Sequence, residues 1–206
     1  MKRKDIHDRV LQASSIDELA SVYAEWADRY DEDLEKEMGY QAPTRVARLL
    51  RDHLAPEGVD LLDAGCGTGL VGVALSAMGY LAIDGLDYSP DMLNQAKKKG
   101  VYGSLWQADM LARLAVPARR YDAVTCVGTF TLGHVGPDAL NELVRITRRG
   151  GYICFTVRSE AWEQDKYTAA ISALVLEKAC EVITNEVVVY IEEEMSTCHL
   201  CLFRVC

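Results

Sequence analysis

The chain has 206 residues, half of them hydrophobic and 26% charged, with a formal net charge of −9. That is enough apolar material for one globular domain whose core needs no disulfide or metal staples. The acidic balance argues against a nucleic-acid partner, whose binding rests on clustered Lys and Arg. Apolar runs fall far short of the roughly 20 residues that span a bilayer, and Met1-Lys2-Arg3-Lys4-Asp5 opens a polar segment. The expectation is therefore a monomer, off the membrane and intracellular, cytoplasmic or nuclear.

In chain order, Ser15-Ile16-Asp17-Glu18 has the form of a capping box, followed by Leu19, Val22, Tyr23, Trp26 and Tyr30 at three- and four-residue steps. This predicts an amphipathic helix with an aromatic face. A second helix is expected from Thr44, after Pro43, burying Val46, Leu49 and Leu50. Pro56 to Gly58 turns into a strand over 59–63. Glycine at 65, 67 and 69 makes a tight turn into a helix that Gly79 ends. A second strand over 80–87 leads to Ser89-Pro90, with Ser as N-cap and Pro at the first helical position. Lys97-Lys98-Lys99 before Gly100 reads as the solvated last turn of that helix. A third strand over 101–107 ends at Ala108-Asp109-Met110, and a fourth covers 121–127. The loop through Gly128, Gly133 and Gly136 reaches Pro137 and a helix to about Thr147; Gly150-Gly151 closes it before a fifth strand over 152–157. A helix over 166–179 comes next. Two β-rich runs then follow, Cys180 to Tyr190 and Ser196 to Val205, joined by the acidic Glu192-Glu193-Glu194, so they must pair antiparallel. Strand–helix alternation before that point demands a parallel sheet covered on both faces.

Seven cysteines, at 66, 126, 154, 180, 198, 201 and 206, lie mostly in apolar strand-like runs and read as buried thiols in a reducing compartment. Cys198-x-x-Cys201 lacks the second ligand pair of a structural zinc, and in a strand its two thiols would face opposite ways, so no metal is expected.

Ligands of open parallel sheets bind at the carboxyl ends of the strands. The glycine turn there, with a helix start behind it, suits a nucleotide cofactor. A dinucleotide fingerprint would need glycine where Leu70 stands, and a P-loop would need Gly-Lys-Ser/Thr. Asp63, two residues before the first glycine, would repel pyrophosphate and attract a cation; S-adenosylmethionine carries an ammonium and a sulfonium. Asp87, ending the second strand, can accept both ribose hydroxyls, and Asp109 an adenine amino group, with the backbone of Met110 beside it and Met92 over the ring. Taken singly, each acid is also what an ordinary turn or cap looks like. The same holds for Met92 as core and for Trp26 and Tyr30 as helix packing.

Together these residues resemble the class I S-adenosylmethionine-dependent methyltransferases over most of the chain. Asp63 to Gly69 matches that family's acid-x-Gly-x-Gly-x-Gly motif, and Asp87-Tyr88-Ser89-Pro90-Asp91-Met92 matches its second-strand acid. Asp109 matches the third-strand acid, and Val127 and Gly128 the backbone after the fourth strand. The resemblance implies a Rossmann-like, doubly wound, seven-stranded, mostly parallel α/β sheet with an antiparallel terminal strand. It implies S-adenosyl-L-methionine as cofactor, S-adenosyl-L-homocysteine as product, and binding residues that include Cys66, Gly67, Tyr88, Met110 and Val127. Tyr23, Trp26, Ala27, Tyr30 and Asp31 are similar to the aromatic helix that covers the cofactor in the ubiquinone-biosynthesis-like branch. One domain over 1–206 follows, with residues 1–55 as a helical lid on a core at 56–206. Gly128 to Gly136 and the amino-terminal segment resemble a narrower branch of methyltransferase-like proteins. The Asn/Asp-Pro-Pro-Tyr motif of amino-methylating enzymes is replaced by Cys126-Val127-Gly128-Thr129-Phe130, which leaves a small molecule or exposed side chain as methyl acceptor.

In-line attack on a sulfonium mostly needs the acceptor aligned and desolvated. If a base is used, His134 in the loop after the fourth strand is the candidate; a surface histidine is the alternative. The competing functions are a non-catalytic cofactor-binding module or activating subunit, and an NAD-dependent oxidoreductase, which Asp63 and Leu70 disfavour.

Overall fold

The structure is a computed structural model that describes residues 9, 18, 21–22, 25–27, 29–34, 38–132 and 135–206. Seven strands make one sheet: β1 (Asp60–Ala64), β2 (Ala82–Asp87), β3 (Ser104–Gln107), β4 (Tyr121–Phe130), β5 (Thr147–Arg158), β6 (Cys180–Ile191) and β7 (Ser196–Val205). Their order is β3-β2-β1-β4-β5-β7-β6. Neighbours among β1 to β5 are parallel, whereas β7 runs antiparallel to both β5 and β6. The helices are α1 (Ala42–His53), α2 (Leu70–Ala77), α3 (Pro90–Lys99), α4 (Ala139–Ile146), α5 (Ser159–Gln164) and α6 (Tyr167–Leu176).

Because successive strand residues face opposite ways, Leu61 and Leu62 feed two separate cores. On one side Val46 and Leu50 of α1 and Leu75 of α2 pack on Leu61, Ile83, Cys154 and Leu202. On the other, Leu140 and Leu143 of α4 and Leu174 of α6 pack on Leu62, Leu86, Val124 and Phe203. Both faces being covered explains why the parallel strands read as continuous apolar runs. The chain winds outward from β1 through β2 to β3, then returns to place β4 on the other side of β1. That reversal opens a crevice at the carboxyl ends of β1 and β4.

Several boundaries differ from the sequence expectation. β5 starts at Thr147, which pairs with Tyr121, and the left-handed Gly150 (φ +77) accommodates an irregularity before the ladder resumes at Ala123↔Tyr152. α1 begins two residues before Thr44, with Pro43 inside its first turn, where a missing N–H costs nothing. Lys166 sits in the left-handed region (φ +60) immediately before α6, and α5 precedes it as a separate helix. Val101 to Gly103 stay out of β3, and Tyr102 turns inward instead. Six of the seven thiols are buried, and Cys198 and Cys201 face opposite cores, as strand alternation requires. Among the described residues no helix is long and apolar enough to cross a membrane.

An aromatic chain ties the second core together. Phe155 meets Phe130 edge-on at 5.7 Å and Phe203 at 4.9 Å, and Phe130 meets Tyr167 at 5.8 Å. Phe155→Ala is expected to cost about 3–5 kcal/mol, lowering the melting temperature by roughly 10 °C in a thermal scan.

Candidate cofactor site

The carboxyl ends of β1 to β4 surround a cleft with about 990 Å³ of free space, counting its open mouth. Its floor is the turn after β1. The N–H groups of Gly65 and Cys66 donate to the Leu86 carbonyl at 2.8 and 2.9 Å, and that of Gly69 to the Cys66 carbonyl at 2.9 Å. The turn is thus fastened to β2 and closed on itself. Gly65 must be glycine on two counts: its φ is +72°, and a Cβ there would stand 2.2 Å from Thr129 Oγ1. At Gly67 nothing lies within 4 Å of the Cβ position, so a ligand can approach the backbone closely.

Asp87 holds this floor to the next element. Its Oδ2 accepts from Gly67 N at 2.8 Å and its Oδ1 from Ser89 N at 2.9 Å. Burial pushes its carboxyl pKa up, and these N–H donors oppose the rise. The carboxylate, with about four acceptor sites, keeps capacity for a ligand hydroxyl. Ser89 caps α3 as its sequence predicts, Oγ accepting from Met92 N at 3.3 Å. Tyr88, Met92, Asp109, Met110 and Val127 also line the cleft, as do Cys66 and Tyr30. Asp109 is preorganised by an Asx turn, its Oδ1 accepting from Leu111 N at 2.8 Å.

Three of the anticipated residues lie off the cleft. Asp63 sits beneath the turn with no exposed surface. Tyr102 Oη donates to its Oδ2 at 2.7 Å and Thr125 Oγ1 to its Oδ1 at 3.0 Å. Burial raises the Asp63 pKa to about 6, against the pull of those two hydroxyls. Gly69 serves as the left-handed N-cap of α2. Trp26 points inward: its Nε1 donates to Asp33 Oδ2 at 2.8 Å and its ring edge meets Tyr30 at 4.8 Å, so Tyr30 alone of that pair reaches the cleft. His134 and Tyr23 lie outside the described residues.

Some participants carry no local sequence signal. Tyr102 reaches Asp63 from outside β3 because glycine at 72 and 85 leaves room; a Cβ on Gly72 would stand 2.3 Å from its ring. Tyr40 lines the cleft through a backbone bridge to Ile191, far along the chain. Asp31, on the helical turn Tyr30–Glu32, accepts from Thr68 Oγ1 and pairs with Lys99. The last of the three lysines expected to be solvated therefore fastens Asp31 to the end of α3, while Thr68 fastens it to the glycine turn.

A methyltransferase domain model matches residues 61–151. The human methyltransferase-like protein 27 is 36% identical over 163 residues, which cover 76% of this chain and 66% of that protein. The chain belongs to the class I S-adenosylmethionine-dependent methyltransferases. The human methyltransferase is the one of the Williams–Beuren region, so the narrower resemblance in the sequence holds as well. A malonyl-[acyl-carrier protein] O-methyltransferase of Serratia marcescens is 28% identical over 186 residues, 82% of this chain and 69% of that one. The chain thus spans about two thirds of the length of these relatives. Among solved structures, the [4+2]-cyclase SpnF superposes with a TM-score of 0.73 at 16% identity, covering 94% of this chain and 97% of its own, which establishes the Rossmann-like methyltransferase fold.

The family cofactor, S-adenosylmethionine, fits the residues present. Among the described residues lining the cleft none is Lys or Arg, while two aspartates line it and a third lies under its floor; this favours a cation over pyrophosphate. The buried acid also has a consequence without ligand. The native carboxyl titrates near 6 and the unfolded one near 3.8, so the native state binds the extra proton between those values. Ligand-free stability should therefore fall, by on the order of 3 kcal/mol, as pH rises from about 4 to 6, and stay lower above that. Denaturant unfolding across this range should show the slope, and Asp63→Asn should flatten it.

Proposed function

We propose that this chain, as one methyltransferase domain over 1–206, transfers a methyl group to a small molecule or an exposed side chain. S-adenosylmethionine, when bound, supplies a methyl group activated by a sulfonium and leaves as S-adenosylhomocysteine. The observation that carries the reading is Asp87, set at the cleft between the bare backbone of Gly67 and the start of α3. It accepts the ribose hydroxyls. Met92 and Met110 flank the adenine, and Asp109 accepts from its amino group. Cys66 and Gly67 bring the backbone close, and Val127 with Gly128 faces the methionine end.

Asp63 acts from below, its charge balancing the cation through the turn. Tyr30 and the segment 1–55 close over the cofactor, latched by Asp31 on Thr68 and Lys99. The chain works as an intracellular monomer with no nucleic-acid partner. In titration calorimetry, Asp87→Ala should abolish measurable S-adenosylhomocysteine binding; retained affinity would remove the central assignment. In thermal-shift assays S-adenosylhomocysteine should raise the wild-type melting temperature and NAD should not.

His134 is proposed as the acceptor's base from its place in the loop after β4. Its replacement by Ala should cut turnover and leave S-adenosylhomocysteine affinity unchanged. A second reading, cofactor binding without methyl transfer, draws on the likeness to a protein described as a [4+2]-cyclase, since a shared fold does not transfer chemistry. Binding of S-adenosylhomocysteine without its formation from S-adenosylmethionine on any acceptor would favour it.

A further inference from the structure

At the β4 side of the cleft, away from Asp109, the wall is made by Tyr40 and Gly128. Tyr40 shares a hydrogen bond with Tyr190, and the two rings meet edge-on at 5.0 Å. Gly128 is left-handed (φ +76), and a Cβ there would stand 2.9 Å from Tyr40 Oη and 3.3 Å from Tyr190 Oη. The two hydroxyls are thus pressed against the backbone of β4 near its carboxyl end. Behind them the Arg158 guanidinium lies 5.5 Å from the centre of the Tyr190 ring, itself held by Glu160 and Glu194. Of the pair, Tyr190 is buried and Tyr40 lines the cleft. A hydroxyl placed so tightly beside an otherwise apolar wall of Pro43, Val127 and Val135 is a positioned polar group with nothing in the fold that requires it there.

We infer that Tyr40, braced by Tyr190, positions the methyl acceptor, and that the acceptor's attacking atom is a hydroxyl oxygen or an amine nitrogen that still carries hydrogen. The inference rests on the methyl-transfer reading above. Whichever way the shared hydrogen bond runs, Tyr40 Oη keeps at least one lone pair free. It can therefore accept the acceptor's hydrogen in every arrangement, whereas it can donate in only one. Accepting that hydrogen leaves the acceptor's own lone pair free to point at the methyl carbon. The new O–C or N–C bond forms as the C–S bond breaks, the bonding pair stays on sulfur, and the acceptor's proton leaves to the base proposed above or, without it, to water at the mouth. Burial and the neighbouring phenol hold the Tyr40 pKa well above its usual range, so Tyr40 stays neutral and orients without ionising. A carboxylate, which brings no hydrogen, can engage Tyr40 only in the one arrangement in which Tyr190 donates to that hydroxyl.

The test uses the full chain with S-adenosylmethionine and three panels of small aromatic compounds, phenols, amines and carboxylates, reading S-adenosylhomocysteine formation. S-adenosylhomocysteine binding by calorimetry and thermal unfolding are run in parallel. Substrates are expected among the phenols or amines. Tyr40→Phe should lower kcat/KM on them at least tenfold, and Tyr190→Phe by less, with S-adenosylhomocysteine affinity and melting temperature close to wild type. Turnover confined to carboxylates, no turnover in any panel, an unchanged rate in Tyr40→Phe, or a loss of S-adenosylhomocysteine affinity in that variant would each overturn the inference. Failure of the wild type to bind S-adenosylhomocysteine would instead overturn the methyl-transfer reading.

Discussion

The site depends on a carboxyl group that water never touches. Asp63 closes β1 with both oxygens taken, one by Thr125 on the adjacent β4 and one by Tyr102 arriving from beyond β2. Tyr102 Oη also accepts from Gly72 N at 3.2 Å, inside the first turn of α2. One buried acid therefore joins four elements at the point where the sheet order reverses. Neutralising a buried carboxylate by protonation is the usual escape from its desolvation cost. The two hydroxyls oppose that protonation, so that burial lifts the pKa only to about 6. The same acid that makes the empty cleft costly is the one that the proposed reading sets beneath a cation.

The glycine turn, the aspartate ending β2 and the cap on α3 were legible because their signals are local. A left-handed turn needs glycine, a strand end facing a ligand carries its acceptor there, and Ser89 reaches a backbone N–H three residues on. Tyr102 and Tyr40 were not legible, since each reaches the cleft by a contact distant in sequence, and nothing adjacent to either residue announces it. The resemblance misdirected Trp26, whose helix-packing alternative is the one the structure shows. Helical spacing correctly grouped it with Tyr30, but a period does not say where an indole N–H finds its acceptor, and Asp33 supplied one seven residues away.

At the level of fold the same division holds. Alternation of strand and helix sufficed for the parallel sheet, and the acidic turn sufficed for the final hairpin. The start of β5 escaped because Gly150-Gly151 reads as a helix stop. In the sheet, Gly150 instead lets the strand pass an irregularity opposite Tyr121 and Ala123. The buried thiols belong to the same account: they fill alternate positions of covered strands, where a small apolar group packs well.

The placement of β7 between β5 and β6 bears on how the chain is made. On a ribosome the strands up to β5 can assemble in order, each laid beside one already present. β5 then waits with one edge bare, its apolar residues Ile153 to Val157 buried only in the finished sheet. The next strand synthesised, β6, does not fill that gap; among the described strands it pairs with β7 alone, besides the single bridge from Ile191 to Tyr40. Until residues 196–205 emerge, the nascent protein presents an unpaired ladder of N–H and C=O groups beside apolar side chains, the form of edge that invites another chain. Of the seven strands, the one translated last is the one that closes the sheet.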